Sequence, residues 1–286
     1  MTDPNPQQFF GYPSEHASPE VTFVGVPWEA PQARSGSQAA PGRLRQLSER
    51  ISSYSPLLDK DLSEVQGHDN GDLPPLALEG SSIHQETYQQ IGKQGSAPIL
   101  VGGDLETASP LITELAQQHD ELMVLQLSAH PFGLTSKTPP LEQASALQHQ
   151  DVLVYGLRSG AKEDFAEARR CRVCGPFPSY DHQRLTALRY HLETVHYRPL
   201  LLLCDLSVFD PAVAPGATRP DPGGIQYEEF RQMLHHLKGR NVVGAAVTGC
   251  SPQHDPSETT LYLAAKVLRE VTLLVASRPT NDPSNA

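Results

Sequence analysis

One stretch, residues 200–224, constrains the fold of this chain more than any other. It reads LLLLCDLSVFDPAVAPGATRPDPGG. Its apolar beginning is too short to cross a membrane, which predicts a strand buried on both faces of a sheet. The acidic residues Asp205, Asp210 and Asp221 follow that run, with Pro and Gly between them. Because open α/β sheets place their chemistry at the carboxyl ends of parallel strands, we expect a functional site in this loop.

Apolar runs and amphipathic segments alternate along the rest of the chain. Further buried strands are predicted at Val21–Val26, Ala97–Val101, Leu122–Leu127, Val152–Leu157 and Val242–Val247. Helices are predicted from Gly42 onward and at Ile83–Lys93, Pro110–Gln118, Lys162–Arg170, Gln183–Val195, Tyr227–Leu237 and Glu258–Val275. Strands that alternate with helices at this spacing predict a mainly parallel sheet with helices on both faces, which is a three-layer α/β/α fold.

The pattern predicts one domain. A chain of 286 residues is long enough to bury a sizeable core. No repeat, long linker or break in composition divides residues 19–276. We expect residues 1–18, which are polar and contain Pro, to form an arm rather than a core element, and residues 277–286 to form a polar tail.

Charge and composition exclude several classes of function. The chain has 22 Lys and Arg against 33 Asp and Glu, a net charge of −11 that argues against binding to nucleic acid or to an anionic membrane. It shows no secretory signal and no apolar stretch near the roughly 18 residues of a membrane helix. Four cysteines do not predict a disulfide framework in a chain this long, so we expect a cytoplasmic protein. The lone C-x-x-C of Cys171 and Cys174 has no second pair to complete a zinc site.

Residues 200–224 resemble the signature of the ureohydrolase family (arginase, agmatinase and relatives), which reads roughly S-x-D-x-D-x-x-D-P-x-x-A-P-G-x-x-x-P-x-P-G-G. Other segments similar to family motifs are residues 27–49, residues 67–73 (GHDNGDL) and residues 155–169 (YGLRSG…EDFAEAR). The resemblance spans the chain from about Val21 to Glu270. It implies the arginase-like fold of that family.

The resemblance also implies a place for a two-metal site. Two divalent ions lower the pKa of a bridging water to about 7 and so make a nucleophile for a guanidinium carbon. The family draws His and Asp ligands from three strand ends, in the motifs G-G-D-H, D-A-H-x-D and D-x-D. In this chain the corresponding segments are Gly102-Gly103-Asp104-Leu105, Ser128-Ala129-His130-Pro131-Phe132 and Asp205-Leu206-Ser207.

By this resemblance, most ligand positions are degenerate. A metal-binding His or Asp of the family is replaced at Leu105, Ser128, Phe132 and Ser207. Only His130 and Asp205 keep a ligand type, and we expect them to hydrogen-bond to each other. The Glu that family members place before V-S-P to hold the substrate guanidinium is Gly249 here.

The residues that shape the backbone are retained, in contrast. They are Gly102, Gly103, Pro211, Pro215, Gly216, Pro222, Gly223 and Gly224. Apolar Leu105 and Phe132 would fill the space of lost ligands without leaving buried carboxylates unpaired. We therefore predict a collapsed metal site, with no catalytic residue and no metal in this chain.

A mononuclear metal site is the first alternative. His130 and Asp205, with Asp104 or His254 as a third ligand, could hold zinc or nickel. Against this, Phe132 would lie among the ligands, and no Glu, His or Cys replaces a lost one.

A nucleophilic Cys250 with His254 as its base is the second alternative. Nothing adjacent orients His254, which favours a structural Cys in a turn. Residues 135–150 show no clear period and predict a loop over the sheet edge, where the family supplies a proton-shuttling His. His149 is the nearest candidate, and a solvated loop His is the simpler interpretation.

The resemblance implies three functions to weigh. The leading one is a non-catalytic subunit that assembles, in trimer- or hexamer-based hetero-oligomers, with an active ureohydrolase paralogue bearing nickel or manganese. The chain is similar in design to the metal-free subunit of two-component metformin hydrolases, which would make it an accessory subunit for cleaving C–N bonds of linear amidines. The others are an active guanidino-compound hydrolase with an atypical metal site and a stand-alone ligand-binding pseudoenzyme.

Overall fold

A central sheet organises the part of the chain that the structure describes. The structure, a computed structural model, describes residues 8–14, 16–31, 33–74, 81–131, 147–148, 151–174 and 183–279. Within them, eight strands form one sheet: β1 Val21–Val26, β4 Gly67–Asp72, β5 Ala97–Gly102, β6 Met123–Leu127, β7 Val152–Tyr155, β8 Arg172–Cys174, β9 Leu200–Asp205 and β10 Val242–Thr248. A separate hairpin pairs β2 (Tyr54–Ser55) with β3 (Lys60–Asp61).

The strand order of the sheet is β4-β1-β5-β10-β9-β6-β7-β8. Each described pair of neighbours runs parallel, so all carboxyl ends lie along one edge. Strand β9, which begins the 200–224 stretch, lies between β10 and β6 and is buried along its whole length. The prediction of a mainly parallel sheet is confirmed, and β9 holds a central place in it.

Helices cover both faces of the sheet. Among the described residues they are α1 Ala40–Ser48, α2 Ser81–Lys93, α3 Ser109–Gln118, α4 Lys162–Ala168, α5 Gln183–Thr194, α6 Tyr227–Leu237 and α7 Thr259–Ala276. Side chains alternate between the faces of a strand. In β9, Leu202 and Cys204 pack in a core with α1, α5, α6 and α7, whereas Leu201 and Leu203 pack in a second core with α2 and α3. The predicted α/β/α layers are therefore confirmed.

Most predicted elements are present with ends moved by one or two residues. Strand β7 stops at Tyr155, two residues before the predicted end, because Gly156 follows it with a φ of 89°. The sequence analysis did not predict β8 or the β2–β3 hairpin. These strands have two or three residues each, too few to show a hydrophobic period.

The N-terminal segment corrects one expectation. Residues 1–18 were expected to form an arm, but Phe9 is fully buried and Tyr12 nearly so. Both rings pack on Phe23 of β1, with centroids 5.3 and 5.8 Å away, and the Phe9 amide donates to Asp69 at 2.9 Å. Burial of two aromatic rings outweighs the polar composition around them, so Phe9 and Tyr12, within the described residues 8–14, belong to the core.

The other end of the domain is also anchored. Just after α7, Arg278 donates hydrogen bonds to the carbonyl oxygens of Gly95 (3.0 Å) and Glu20 (3.1 Å). The start of the predicted tail, residues 277–286, is thus tied to the sheet, while residues 280–286 lie outside the described part. No helix in the described part is both long enough and apolar enough to span a bilayer.

Candidate functional site

A small pocket lies at the carboxyl edge of four neighbouring strands, β5, β10, β9 and β6. Its volume is about 60 Å³. Residues that line it include Asp104, Leu105, Ser128, His130, Asp205 and Arg219. The structure therefore brings together the three motifs that the sequence analysis placed at separate strand ends. It also adds Arg219, which the sequence analysis did not single out.

The carboxylate of Asp205 already has protein partners. It is the last residue of β9 and is 6% exposed. Its Oδ1 accepts from the Ser207 amide at 3.0 Å, and its Oδ2 accepts from the Thr248 hydroxyl, also at 3.0 Å. Each oxygen of the surviving ligand-type carboxylate is thus engaged by a donor of the chain.

His130 points to a different partner from the one expected. Its Nε2 lies 3.2 Å from the carbonyl oxygen of Arg219, and its amide donates to Ser128 Oγ at 3.0 Å. The expected hydrogen bond between His130 and Asp205 is therefore wrong, because each is satisfied by a nearer group. The contact with a carbonyl oxygen means that Nε2 carries the proton in this arrangement.

The two serines at degenerate positions contact each other. The hydroxyls of Ser128 and Ser207 lie 3.4 Å apart, and Ser207 Oγ also accepts from the Ala129 amide at 3.2 Å. Both serines are buried. They join the loops after β6 and β9 by a neutral hydrogen-bond network where the family motif would place charged ligands.

Asp104 is more fully buried than Asp205, at 2% against 6% exposed. Its Oδ2 accepts from the Ala30 amide at 2.7 Å and lies 3.4 Å from Ser37 Oγ. Burial raises the pKa of Asp104 to about 6, and the negative charges of Asp205 and Glu106 add to that rise. The hydrogen bond from Ala30 opposes it but does not cancel it.

Leu105 lies between the pocket and the core. Its side chain is buried in the core beside α2 and α3 and reaches the pocket wall. Apolar carbon therefore lines the position where the family motif has a metal-binding His. An isobutyl group offers no lone pair to a cation.

Gly249 holds the pocket together through its backbone. Its amide donates to the carbonyl oxygen of Gly103 at 2.6 Å, and its own carbonyl accepts from the Thr218 amide at 2.9 Å. It has a φ of 81°, and a Cβ added here would lie 2.5 Å from Asp205 Oδ2. The Asp205 carboxylate thus occupies the space in which a side chain at position 249 would begin.

Arg219 and Glu106 form an ion pair at the rim of the pocket. Arg219 Nη2 lies 2.8 Å from Glu106 Oε1. Burial alone would lower the pKa of Arg219, but the charges of Glu106, Asp205 and Asp104 and the hydrogen bond to Glu106 raise it above its ordinary value. The signal for Arg219 was present in the sequence as a cation inside the signature stretch, at a position to which the family motif gives no residue type.

Comparison with known proteins decides the family. The model of the arginase family matches residues 19–274, almost the whole chain. The chain belongs to the arginase family. The predicted arginase-like fold is thereby confirmed, and so is the general resemblance on which it rested.

Several known proteins are similar to this chain over most of its length. An agmatinase of Bacillus anthracis is 30% identical over 268 residues, which cover 89% of this chain and 91% of the relative. A guanidinopropionase of Pseudomonas aeruginosa is 28% identical over 285 residues, covering 92% and 89%. The crystal structure of a Trypanosoma cruzi formiminoglutamase with Mn²⁺ superimposes with a TM-score of 0.81 at 16% identity, covering 98% of this chain and 100% of that one.

The pocket of this arginase-family chain does not fit a metal centre of that kind. The described residues contain no group of three or more His, Cys, Asp or Glu side chains that could hold a metal ion. Both Asp205 oxygens and His130 Nε2 have partners within the chain. A divalent ion needs several free oxygen or nitrogen ligands and would meet the positive charge of Arg219 instead.

The two alternative sites are not assembled either. The side chain of His254 is exposed and does not line the pocket, so it does not join His130 and Asp205 as a third ligand. Cys250 is buried, and burial followed by the charge of Asp255 raises its pKa far above the ordinary value of a thiol. Cys250 is thus held as a neutral thiol, in the structural position that the turn predicted.

Three earlier predictions fall on residues that the structure does not describe. Phe132 and His149 lie outside the described residues, as does most of the loop predicted at 135–150.

Of the C-x-x-C, Cys171 is buried beside α4, and burial raises its pKa to about 11. The Cys171 thiol is therefore protonated at neutral pH.

Proposed function

We propose that this chain is a non-catalytic member of the arginase family that assembles with an active, metal-dependent paralogue. The observation that carries the proposal is the pocket at the carboxyl edge of the sheet. There, Asp205 and His130 are bound by the chain itself and Arg219 supplies a positive charge. The described residues of this pocket include no set of ligands that would hold a metal ion and so lower the pKa of a bound water.

The partner would supply the reaction. In that reaction, water adds to a guanidino or biguanide carbon and a C–N bond breaks. With metformin as substrate, the products would be guanylurea and dimethylamine. Nickel or manganese in the partner would lower the pKa of the attacking water. The residues of this chain take no part in that step, and their role is to complete the assembly.

Shared architecture supports the assembly. A paralogue with the same fold presents surfaces derived from the same interfaces, so mixed trimers or hexamers need few new contacts. The whole-length similarity to hydrolases of guanidino compounds, such as the Bacillus agmatinase, supports a partner of that class.

The first test is the metal content of the chain, purified alone from cells grown with nickel, manganese and zinc. We expect no bound metal at a stoichiometric level by mass spectrometry. The matched control is His130→Ala, which should not change the metal content. Stoichiometric metal that His130→Ala removes would overturn the proposal and make this chain a hydrolase in its own right.

The second test is co-expression with an intact arginase-family paralogue from the same source. We expect a mixed oligomer in size-exclusion chromatography with light scattering, and a gain in the partner's solubility or hydrolysis rate. The paralogue expressed alone is the control. Failure to co-purify, with no gain in either property, contradicts the subunit role.

An active hydrolase is the second candidate, favoured by 30% identity to an agmatinase over 89% of the chain. It predicts metal-dependent urea release from guanidino compounds by the chain alone. Asp205→Ala would abolish that release. Turnover without a partner would favour this candidate.

A further inference from the structure

A groove separate from the pocket lies between the β2–β3 hairpin and the helices α5 and α6. Its volume is about 300 Å³, at the lower end of the range for small-molecule sites. The residues that line this α5–α6 groove include Leu57, Leu185, Glu228, Arg231, His235 and His236. None of these six lines the pocket at the carboxyl edge of the sheet.

The apolar part of the α5–α6 groove is held in place by the fold. Leu57 lies in the turn of the hairpin and packs on the core, as does Leu185 of α5. Ser55, at the start of that turn, donates to Glu270 of α7 at 2.6 Å. Glu270 is 1% exposed and is paired with Arg269. Because the hairpin is tied to a buried ion pair, the position of Leu57 is set before any ligand binds, as is usual for small-molecule sites.

The polar part of the groove comes from α6. Arg231 and His235 are four residues apart and therefore lie on one face of the helix, and His236 follows directly. The rings of His235 and His236 contact each other, with centroids 6.0 Å apart. Within the described residues, neither imidazole is engaged in a hydrogen bond. Their ring N–H groups are therefore free to donate to a ligand.

The Arg231 guanidinium is also accessible to an anion. It pairs with Glu228 through Nη1 at 3.0 Å, and the two side chains are 33% and 65% exposed. An ion pair this exposed contributes little to stability, so it can open, and it uses only part of a fork of five donors. Around the groove, one guanidinium and two imidazoles stand against the carboxylate of Glu228, in a chain whose net charge is −11. The groove is thus a place that an anion can approach on a mostly negative molecule.

We propose that the α5–α6 groove binds a small organic anion in which a carboxylate is carried on an apolar chain or ring. The carboxylate accepts hydrogen bonds from Arg231 and the imidazoles, and the apolar body packs on Leu57 and Leu185. A single permanently charged group matches one carboxylate better than a doubly charged phosphate. This inference goes beyond the proposed function and holds whether or not the chain assembles with a paralogue.

Three probes separate the two halves of the proposed site. Sodium hexanoate carries both parts of the ligand, hexylammonium chloride keeps the chain but reverses the charge, and sodium acetate keeps the carboxylate without the chain. Isothermal titration calorimetry on the full chain, at equal ionic strength, measures the affinity for each. We expect hexanoate to bind in the millimolar range and the other two at least about fivefold more weakly. Hexylammonium that binds as tightly as hexanoate, or hexanoate that does not bind, overturns the proposal.

Variants on α6 locate the carboxylate. Arg231→Ala should weaken hexanoate binding about tenfold, because a charge-assisted hydrogen bond is lost. Glu228→Gln should tighten it about twofold, because the competing carboxylate of an exposed pair is gone. The control is Arg170→Ala, since Arg170 has a similar pair with Glu167 at 2.8 Å and should leave the affinity unchanged. If the variants at 231 and 228 bind hexanoate as the original chain does, the proposal fails.

A matched pair of variants at position 57 tests the apolar part. Leu57→Met keeps an apolar side chain and should keep hexanoate binding. Leu57→Asn places a polar amide there and should weaken it. Melting temperatures of both variants verify that the domain is folded. Equal hexanoate affinity in the two variants contradicts the placement of the apolar body on Leu57.

Discussion

Gly249 sets the geometry of the pocket at the scale of single residues. Its amide and carbonyl join the loops after β5, β9 and β10, and its α-carbon lies against the Asp205 carboxylate. A positive φ is costly for residues other than Gly, and the missing Cβ leaves room for the carboxylate. One backbone position thereby fixes three loops.

Gly249→Ala is expected to lower the free energy of unfolding by about 2 to 4 kcal/mol, from backbone strain plus the clash with Asp205. The control is Gly95→Ala, because Gly95 has a similar φ of 76° and nothing within 4 Å of an added Cβ. Gly95→Ala should cost only the strain, about 1 to 2 kcal/mol. Urea denaturation measures both; equal losses would refute the clash.

The raised pKa of Asp104 predicts that the stability of the fold depends on pH. Its folded pKa of about 6 lies above its reference value of 3.8. The stability that its protonated form contributes is complete below pH 3.8 and is lost as the pH rises through 6. Asp104→Asn does not titrate, so its stability relative to the original chain should improve by about 1 to 3 kcal/mol between pH 4 and pH 7.5.

The control for Asp104→Asn is a variant at Asp210, a carboxyl whose pKa is shifted in the opposite direction. Amide hydrogen bonds from Ala212, Gly223 and Gly224 lower the pKa of Asp210, although desolvation opposes them. The stability that Asp210 contributes is present above its unfolded pKa and is lost in acid. Asp210→Asn should therefore lose more stability at pH 7.5 than at a pH well below 3.8. The same trend in both variants would contradict the assignment.

At the scale of elements, Arg158 clamps the loop that follows β9. Its guanidinium donates to several carbonyl oxygens of that loop, those of Ser207, Val208, Phe209, Asp221 and Pro222. Its side chain is 7% exposed. A planar fork with five donors can satisfy many acceptors at once, so this one residue shapes both ends of the 200–224 stretch.

Arg158→Lys is expected to destabilise the fold by about 3 kcal/mol, because a single ammonium leaves buried carbonyl groups unpaired. Hydrogen exchange should accelerate over residues 206–224 more than elsewhere. Arg170→Lys is the control, since Arg170 lies on the surface with Glu167 and should change stability by less than about 0.5 kcal/mol. Uniform exchange along the chain would count against a local clamp.

At the scale of the whole molecule, the N-terminal segment closes the core. Phe9 packs on Phe23 of β1, and the Arg45 guanidinium lies over its ring at 4.4 Å while binding Asp69 of β4. Residues before the first strand thus connect β1, β4 and α1. The domain cannot be trimmed to its sheet and helices without opening this face.

Phe9→Ala should lower the free energy of unfolding by about 3 to 5 kcal/mol, because it leaves a cavity against Phe23. Tyr197→Ala, at an exposed ring, is the control and should stay within about 0.5 kcal/mol. Thermal and urea unfolding measure both. A small effect of Phe9→Ala would restore the view of this segment as an arm.

The sequence determined the sheet more fully than the pocket. Continuous apolar runs in the sequence indicate buried parallel strands such as β9, and Gly102 and Gly103 indicate the end of a strand. The partners of His130, the orientation of Arg219 and the φ of Gly249 depend on contacts between loops distant in sequence. No local pattern encodes those contacts. Phe9 was missed for a related reason, because its burial depends on β1 and α1 rather than on its polar neighbours.

The contact between Gly249 and Asp205 limits which amino-acid substitutions this pocket can accept. A side chain introduced at position 249 meets the carboxylate before it can do anything else, and the carboxylate cannot move while Ser207 and Thr248 hold it. A side chain at position 249 therefore requires a second change that moves the Asp205 carboxylate.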